Sequence, residues 1–183
     1  MGLDIQIVEI LNAVAGKSFL ADWIIVFFAS YLGYMMALAV VGLALVTVLA
    51  RFRYLRRKNG ELFILVVLST VAARLGVTEI IRFFYNRPRP FEVFEGVRQL
   101  VEHSSGGSFP SGHAALAFAL ATSVFLVHRR WGILFFVLAL AVGLGRIAAG
   151  IHWPTDILAG AIIGIASAFL IKRLFFSNQN TPV

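Results

Sequence analysis

The 183-residue sequence contains no cysteine, which excludes disulfides, thiol nucleophiles and thiolate metal sites. Charge is scarce too: Asp, Glu, Lys and Arg make up 14% of the chain, where soluble domains carry about 25%. With 60% hydrophobic residues, that shortage excludes an ordinary soluble fold. Acids are the scarcer sign, 9 against 16 Lys and Arg, leaving a net charge of +7. Most of the excess flanks hydrophobic runs, so it is read as membrane orientation, and no nucleic-acid partner is expected. The first residues carry Asp4 and Glu9 and no basic cluster, unlike the n-region of a cleavable signal peptide. Internal repeats and low-complexity linkers are also lacking, so residues 1–183 are read as a single domain.

What the chain does have is long uncharged runs. No charge occurs from Trp23 to Ala50; as a helix this run measures about 42 Å, against a hydrocarbon core of about 30 Å. A tilted span over about 28–50 is expected, entered through an interfacial piece containing Trp23. Further spans are expected over about 61–84, 112–127, 132–149 and 154–171. Pro88 disfavours helix at Arg87 and so ends the second of them. Residues 3–15, within an N-terminal stretch 1–20, place apolar side chains around a helix with acids to one side. That pattern fits an amphipathic helix lying on the membrane surface, with a partner-binding helix as the alternative. The fold class is therefore all-α: an integral membrane helical bundle of about five transmembrane helices plus an interfacial helix.

Arg51, Arg53, Arg56, Arg57 and Lys58 read as a dense basic loop, and Ser177 to Val183 as a polar tail. Five spans bring the basic clusters at 51–58, 129–130 and 172–173 to one side. The positive-inside rule makes that side, and the C-terminus, cytoplasmic in an inner (plasma) membrane. The N-terminus and the loops 85–111 and 146–153 then share the outer face.

Three polar groups meet on that face. They are Arg82-Phe83-Phe84-Tyr85-Asn86-Arg87-Pro88-Arg89-Pro90, then Phe109-Pro110-Ser111-Gly112-His113, then Gly145-Arg146 followed by His152 and Asp156. Guanidinium groups bind phosphoryl oxygens through a planar fork of charge-assisted hydrogen bonds. Ser111 is placed as a helix N-cap, leaving the free amides and positive dipole of a first turn at Gly112 and His113. Glycine at 112 admits close approach of the backbone. His152 and Asp156 are spaced as neighbours on one helix face, with Pro154 suited to its first turn. A carboxylate there can hold one imidazole tautomer and make the other ring nitrogen a nucleophile.

On these residues the sequence resembles the type 2 phosphatidic acid phosphatase (PAP2) family, which shares its active site with vanadium haloperoxidases and bacterial non-specific acid phosphatases. The family pattern is Lys-x6-Arg-Pro, Pro-Ser-Gly-His and Ser-Arg-x5-His-x3-Asp. Here it reads Arg82-x6-Arg89-Pro90, Pro110-Ser111-Gly112-His113 and Gly145-Arg146-x5-His152-x3-Asp156, in a motif-bearing core over 60–172. Arg87-Pro88 is a second Arg-Pro, but its register puts Ile80 at the first basic position, so Arg89 is assigned. Two positions depart from the pattern. Arg82 replaces the lysine and keeps the charge, while Gly145 replaces the serine and removes a hydroxyl donor to phosphate.

The resemblance implies that His152 attacks the terminal phosphorus and forms a phosphohistidine, with Asp156 orienting it. His113 is then the proton donor to the leaving oxygen and later the base for water. Arg82, Arg89, Arg146, Ser111 and Gly112 are the implied phosphate ligands, and no metal or cofactor is implied. The implied substrate is a lipid phosphate or diphosphate drawn from the membrane lipids, with undecaprenyl diphosphate first. Phosphatidylglycerophosphate, phosphatidic acid and lipid A 1-phosphate follow. A lipid phosphotransferase using the same intermediate is the alternative class, and a transporter or lipid-binding protein a third.

Other polar residues have plainer readings. His103 is read as loop and His128 as a residue of the cytoplasmic boundary. Arg98, Glu92, Glu95 and Glu102 are read as solvated loop charges, and Ser104 to Ser108 as a flexible approach to the motif. Arg87 is read either as a substrate ligand or as facing headgroups. Arg74, within a span where a charge is costly, is expected to pair with Thr78 or Glu79. Gly160, Ala161, Gly164 and Ala168 mark a close helix contact.

Overall fold

A computed structural model describes residues 2–49, 53–102 and 106–176, apart from the side chains of 44 and 47–58. Arg51, His103, Ser104, Ser105 and the tail from Ser177 to Val183 lie outside the described residues. Among those described, every regular element is helical.

Helix α1 (Leu3–Asn12) turns Ile5 and Val8 inward and carries Asp4 in its first turn. Its last residue, the buried Asn12, donates to the carbonyls of Arg98 and Ala148 and accepts the Arg98 amide, each at 2.8 Å. One side chain thus pins α1 to both outer loops. Helix α2 (Phe19–Val26) starts where the Ser18 hydroxyl accepts the Ala21 amide at 3.2 Å. It continues through a π turn at Phe27–Tyr31 into α3 (Leu32–Leu49) without a break. The piece containing Trp23 is therefore the first part of the long helix, separated from the rest by a widened turn.

Helix α4 (Arg53–Val71), a π segment Ala72–Val77 and α5 (Thr78–Phe84) form the next rod. The stretch 53–58, expected as loop, is the start of α4. Arginine and lysine are good helix formers, and no proline interrupts them. The π segment is held where both the amide and the hydroxyl of Thr78 bond to the Ala73 carbonyl, the hydroxyl at 2.8 Å. A short α6 (Pro90–Val93) sits in the loop that follows. Then come α7 (Gly112–Val127), α8 (Arg129–Ala148) and α9 (Pro154–Phe176).

Among the described residues, four helices are long and apolar enough to cross a membrane: Phe19–Leu43, Asn59–Phe84, Arg129–Ala148 and Pro154–Phe176. Helix α7 is shorter at 16 residues, about 24 Å. It is the central element, buried along most of its length against α4, α8 and α9. Lipid contact is left to the others, which expose residues such as Leu38, Leu140, Ile162 and Phe169. With lipid as solvent, tight packing holds the bundle more than water-driven burial does. The α7–α9 seam fits that rule. A Cβ on Gly160 would lie 2.5 Å from the Ser111 carbonyl oxygen, and one on Gly164 2.4 Å from that of Ala115.

The ends of the bundle differ in chemistry. At one end His128 Nε2 meets Asn59 Oδ1 at 2.8 Å, and Lys172 Nζ donates to the Leu126 carbonyl at 3.0 Å. At the other, α1 and the loops 85–111 and 146–153 interlock.

Candidate active site

The turn between α8 and α9 carries the His–Asp pair. Gly150 adopts φ +76°, and a Cβ there would sit 2.5 Å from the Arg98 carbonyl oxygen, so only glycine suits the position. The Gly150 carbonyl accepts the Phe91 amide at 3.3 Å, and Ala149 that of Leu100 at 3.2 Å, which ties this turn to the preceding loop. Helix α9 then starts at Pro154, and Asp156 Oδ2 reaches back to accept the Trp153 amide at 2.9 Å. This is the acidic half of a capping box, so helix initiation itself orients the carboxylate.

The same Oδ2 lies 3.3 Å from His152 Nδ1, with both residues fully buried. On the far side of the ring, Arg146 Nη2 lies 3.3 Å from His152 Nε2. A guanidinium can only donate, so Nε2 is the acceptor and the ring proton belongs on Nδ1, toward Asp156. That is a neutral imidazole with its Nε2 lone pair aimed at a cation.

The arginines are held mainly by backbone carbonyls, with Arg82 also reaching the half-exposed carboxylate of Glu79 at 3.4 Å. Arg82 donates twice, from Nε at 3.2 Å and Nη2 at 3.0 Å, to the Pro110 carbonyl. Arg89 donates to the carbonyls of Ile151 at 2.8 Å, Gly106 at 3.3 Å and Gly107 at 3.4 Å. Arg146 donates to the Ala29 carbonyl at 3.3 Å. Carbonyls fix these side chains without cancelling their charge, which leaves a net positive pocket. Burial, and then the nearby Arg82 charge, pulls the Arg89 guanidinium down to about 10, still cationic at neutral pH. An anion between these groups would relieve that stress.

Ser111 caps α7, its hydroxyl accepting the Ala114 amide at 3.4 Å and its own amide donating to the Asp156 carbonyl at 3.0 Å. The starts of α7 and α9 are therefore joined. Gly112 opens the first turn of α7, and His113 follows with its ring edge-on to Tyr34 of α3, centroids 5.9 Å apart. All the residues expected from the motifs thus gather at one end of the bundle.

Several readings need correction. Gly106 to Ser108 do not form a loose approach: Ser108 is fully buried, its amide donates to the Arg87 carbonyl at 2.8 Å and its hydroxyl to that of Pro88 at 3.3 Å. Glu92 is not merely a solvated charge, since its Oε2 accepts the Arg89 amide at 2.7 Å and starts α6. Arg87 is engaged by acids of its own chain. Its Nη1 donates to Asp156 Oδ1 at 2.8 Å and to Thr155 Oγ1 at 2.7 Å, and its Nη2 to Asp4 Oδ2 at 3.0 Å. Thr155 in turn donates to Asp4 Oδ2 at 2.6 Å. Helix α1 thereby braces the residue that braces Asp156.

The Gly145 departure has a packing cause. A Cβ there would lie 2.8 Å from the Ala29 amide nitrogen and 2.9 Å from Phe28 Cβ, because the π turn Phe27–Tyr31 is pressed onto α8. Serine has no room. The same contact brings the Ala29 carbonyl within reach of Arg146.

A helical membrane bundle that sets a buried His–Asp pair among arginines is a phosphoryl-handling membrane protein. The sequence profile of the PAP2 superfamily matches residues 63–180. Over 181 residues the chain is 33% identical to the "Bacitracin transport permease protein BcrC" of Bacillus licheniformis, covering 97% of this chain and 85% of that one. It is 31% identical over 177 residues to the "Undecaprenyl-diphosphatase BcrC" of Bacillus subtilis, covering 95% and 86%. The crystal structure of Aquifex aeolicus LpxE superposes with a TM-score of 0.69 at 30% identity, covering 93% of this chain and 94% of that one. The chain belongs to the PAP2 superfamily and is a membrane lipid phosphatase of that type.

Proposed function

We propose that the protein removes the terminal phosphate of a lipid diphosphate, undecaprenyl diphosphate above all, through a phosphohistidine on His152. The observation that carries this reading is the Nε2 lone pair of His152, set against Arg146 and backed by Asp156. The terminal phosphoryl group displaces the Arg146 guanidinium from Nε2, and its oxygens take up Arg82, Arg89, Arg146, the Ser111 hydroxyl and the Gly112 amide. Nε2 forms a bond to phosphorus as the bridging P–O bond breaks. His113 gives its proton to the departing lipid phosphate. Water then attacks the phosphohistidine, His113 takes its proton, and inorganic phosphate leaves with His152 restored. His152 starts neutral and His113 protonated, so the pH–rate profile is a bell.

Preorganised arginines and amides supply the charge stabilisation that the transition state needs. The substrate rests on likeness to the Bacillus subtilis diphosphatase. The Bacillus licheniformis relative carries a transport name, yet transport has no use for a nucleophile held in one tautomer. A phosphate-release panel in detergent tests the choice. Undecaprenyl diphosphate should exceed phosphatidylglycerophosphate, phosphatidic acid and lipid A in kcat/KM; preference for one of those would overturn it.

The basic end, with Arg129, Arg130, Lys172 and Arg173, faces the cytoplasm in this reading, and the site faces outward. Single cysteines test that orientation. Glu95→Cys should react with an impermeant maleimide in intact cells and Arg130→Cys only after lysis, and the reverse pattern would invert the topology.

A further inference from the structure

Arg74 lies inside the candidate span Asn59–Phe84, where a charge is costly enough to ask for a use. Its Nη1 donates to Glu79 Oε1, and the same oxygen takes Arg82 Nη1 at 3.4 Å. Its side chain is 30% exposed and that of Glu79 46%. The stem and guanidinium lie across the first turn of α7: a Cβ on Gly112 would sit 2.6 Å from Arg74 Nε and 2.8 Å from its Cδ and Cζ. A side chain at Gly112 would have to push Arg74 aside, beside the amides already assigned to phosphate.

The π segment Ala72–Val77 makes this possible. In an uninterrupted α-helix, positions eight apart point about 80° away from each other. The wider π turn advances less per residue and takes up that offset, which brings Arg74 and Arg82 onto one face. Glu79 then bridges two guanidiniums with a single carboxylate, so the pair already accommodates an anion spanning both.

We propose that Arg74 binds the second, lipid-bearing phosphate of a diphosphate substrate, displacing Glu79, and so sets the preference for diphosphates over monophosphates. This rests on the lipid-diphosphate reading above. Arg74 is rooted eight residues before Arg82, about two turns deeper along the rod, on the side from which a lipid tail must come, and its guanidinium reaches back toward Arg82 to share Glu79. In a lipid diphosphate the leaving phosphate stands between the attacked phosphate and the tail, where Arg74 would meet it. A monophosphate puts an ester oxygen and carbon there and offers Arg74 no anion.

The test uses the full chain in detergent with farnesyl diphosphate as substrate and farnesyl monophosphate as competitive inhibitor. Arg74→Gln should lower kcat/KM for the diphosphate by about 10- to 100-fold, the worth of a charge-assisted hydrogen bond, while the Ki of the monophosphate stays within about twofold of wild type, less than 0.5 kcal/mol. Glu79→Gln, which removes the competing carboxylate and keeps Arg74, should lower KM for the diphosphate by more than it lowers the monophosphate Ki, because it releases Arg82 for both ligands but Arg74 only for the diphosphate. Should Arg74→Gln fail to fold, this second variant decides. Equal changes for both ligands, or none, would overturn the assignment and leave the lipid-diphosphate reading standing. Wild type that releases no phosphate from either farnesyl or undecaprenyl diphosphate would overturn that reading, and the Arg74 assignment with it.

Discussion

His152→Gln is expected to lower phosphate release by about 10⁴-fold or more, the scale seen when a nucleophile is lost from a preorganised site. Glutamine suits the test better than alanine because His152 is fully buried. Its amide can still donate to Asp156, so the packing survives while the lone pair that attacks phosphorus is gone. Brief turnover of a labelled diphosphate by wild type, quenched in alkali, should leave acid-labile label on the protein, and the variant should carry none. Asp156→Asn should cost about 10³- to 10⁴-fold, because an amide no longer selects the productive tautomer. A glutamine variant that keeps more than about one hundredth of wild-type activity, where loss of a nucleophile costs far more, would move the nucleophile elsewhere.

Arg87→Gln should produce the second large effect, at a residue that touches no expected phosphate ligand. Arg87 neutralises Asp156 Oδ1 while its guanidinium lies 5.0 Å from the centre of the Trp153 ring. Without it a fully buried carboxylate keeps the Trp153 amide and His152 but loses its cation. Removing one partner of a fully buried pair costs about 3–5 kcal/mol. Arg87 is 23% exposed, so water can enter and about 1.5–3 kcal/mol is expected instead. The loss should fall on kcat, about 10- to 100-fold, with KM changed only a few-fold and the thermal unfolding midpoint lowered. Asp4→Asn should act in the same direction more weakly, and the double variant should be no worse than Arg87→Gln alone, since both residues serve one network. A raised KM at unchanged kcat would make Arg87 a substrate ligand instead.

Much of the site is legible in the chain because its parts are local. Ser111 caps the helix it precedes, Pro154 and Asp156 belong to the first turn they start, and His152 is one turn from its carboxylate. Local geometry of this kind depends on a few backbone angles, and spacing records it. Arg82, Arg89 and Arg146 are legible for another reason: their spacing to Pro90 and His152 follows the family pattern. Arg87 is not, since one Arg-Pro pair reads much like the next until Asp156 and Asp4 are placed around it. Asp4 carried no signal at all, because an acid at the start of a helix is ordinary and its partners lie far along the chain. The Gly145 departure looked like a lost phosphate ligand; the approach of Phe28 and Ala29 to α8 makes it a packing requirement.

The sequence by itself determined the solvent, the helical class and the chemical inventory. Charge scarcity, long apolar runs and three ordered motifs are properties of composition and order, which folding does not alter. Only the tertiary structure decided which cation serves which oxygen. Arg82, Arg87 and Arg89 stand within one short stretch, yet one grips Pro110, one Asp156 and one the carbonyls of Ile151, Gly106 and Gly107. A guanidinium on a flexible stem reaches several angstroms in any direction, so its partner is set by the neighbouring helices. The same holds for Arg74, whose place across Gly112 depends on a π turn that no residue pattern announces.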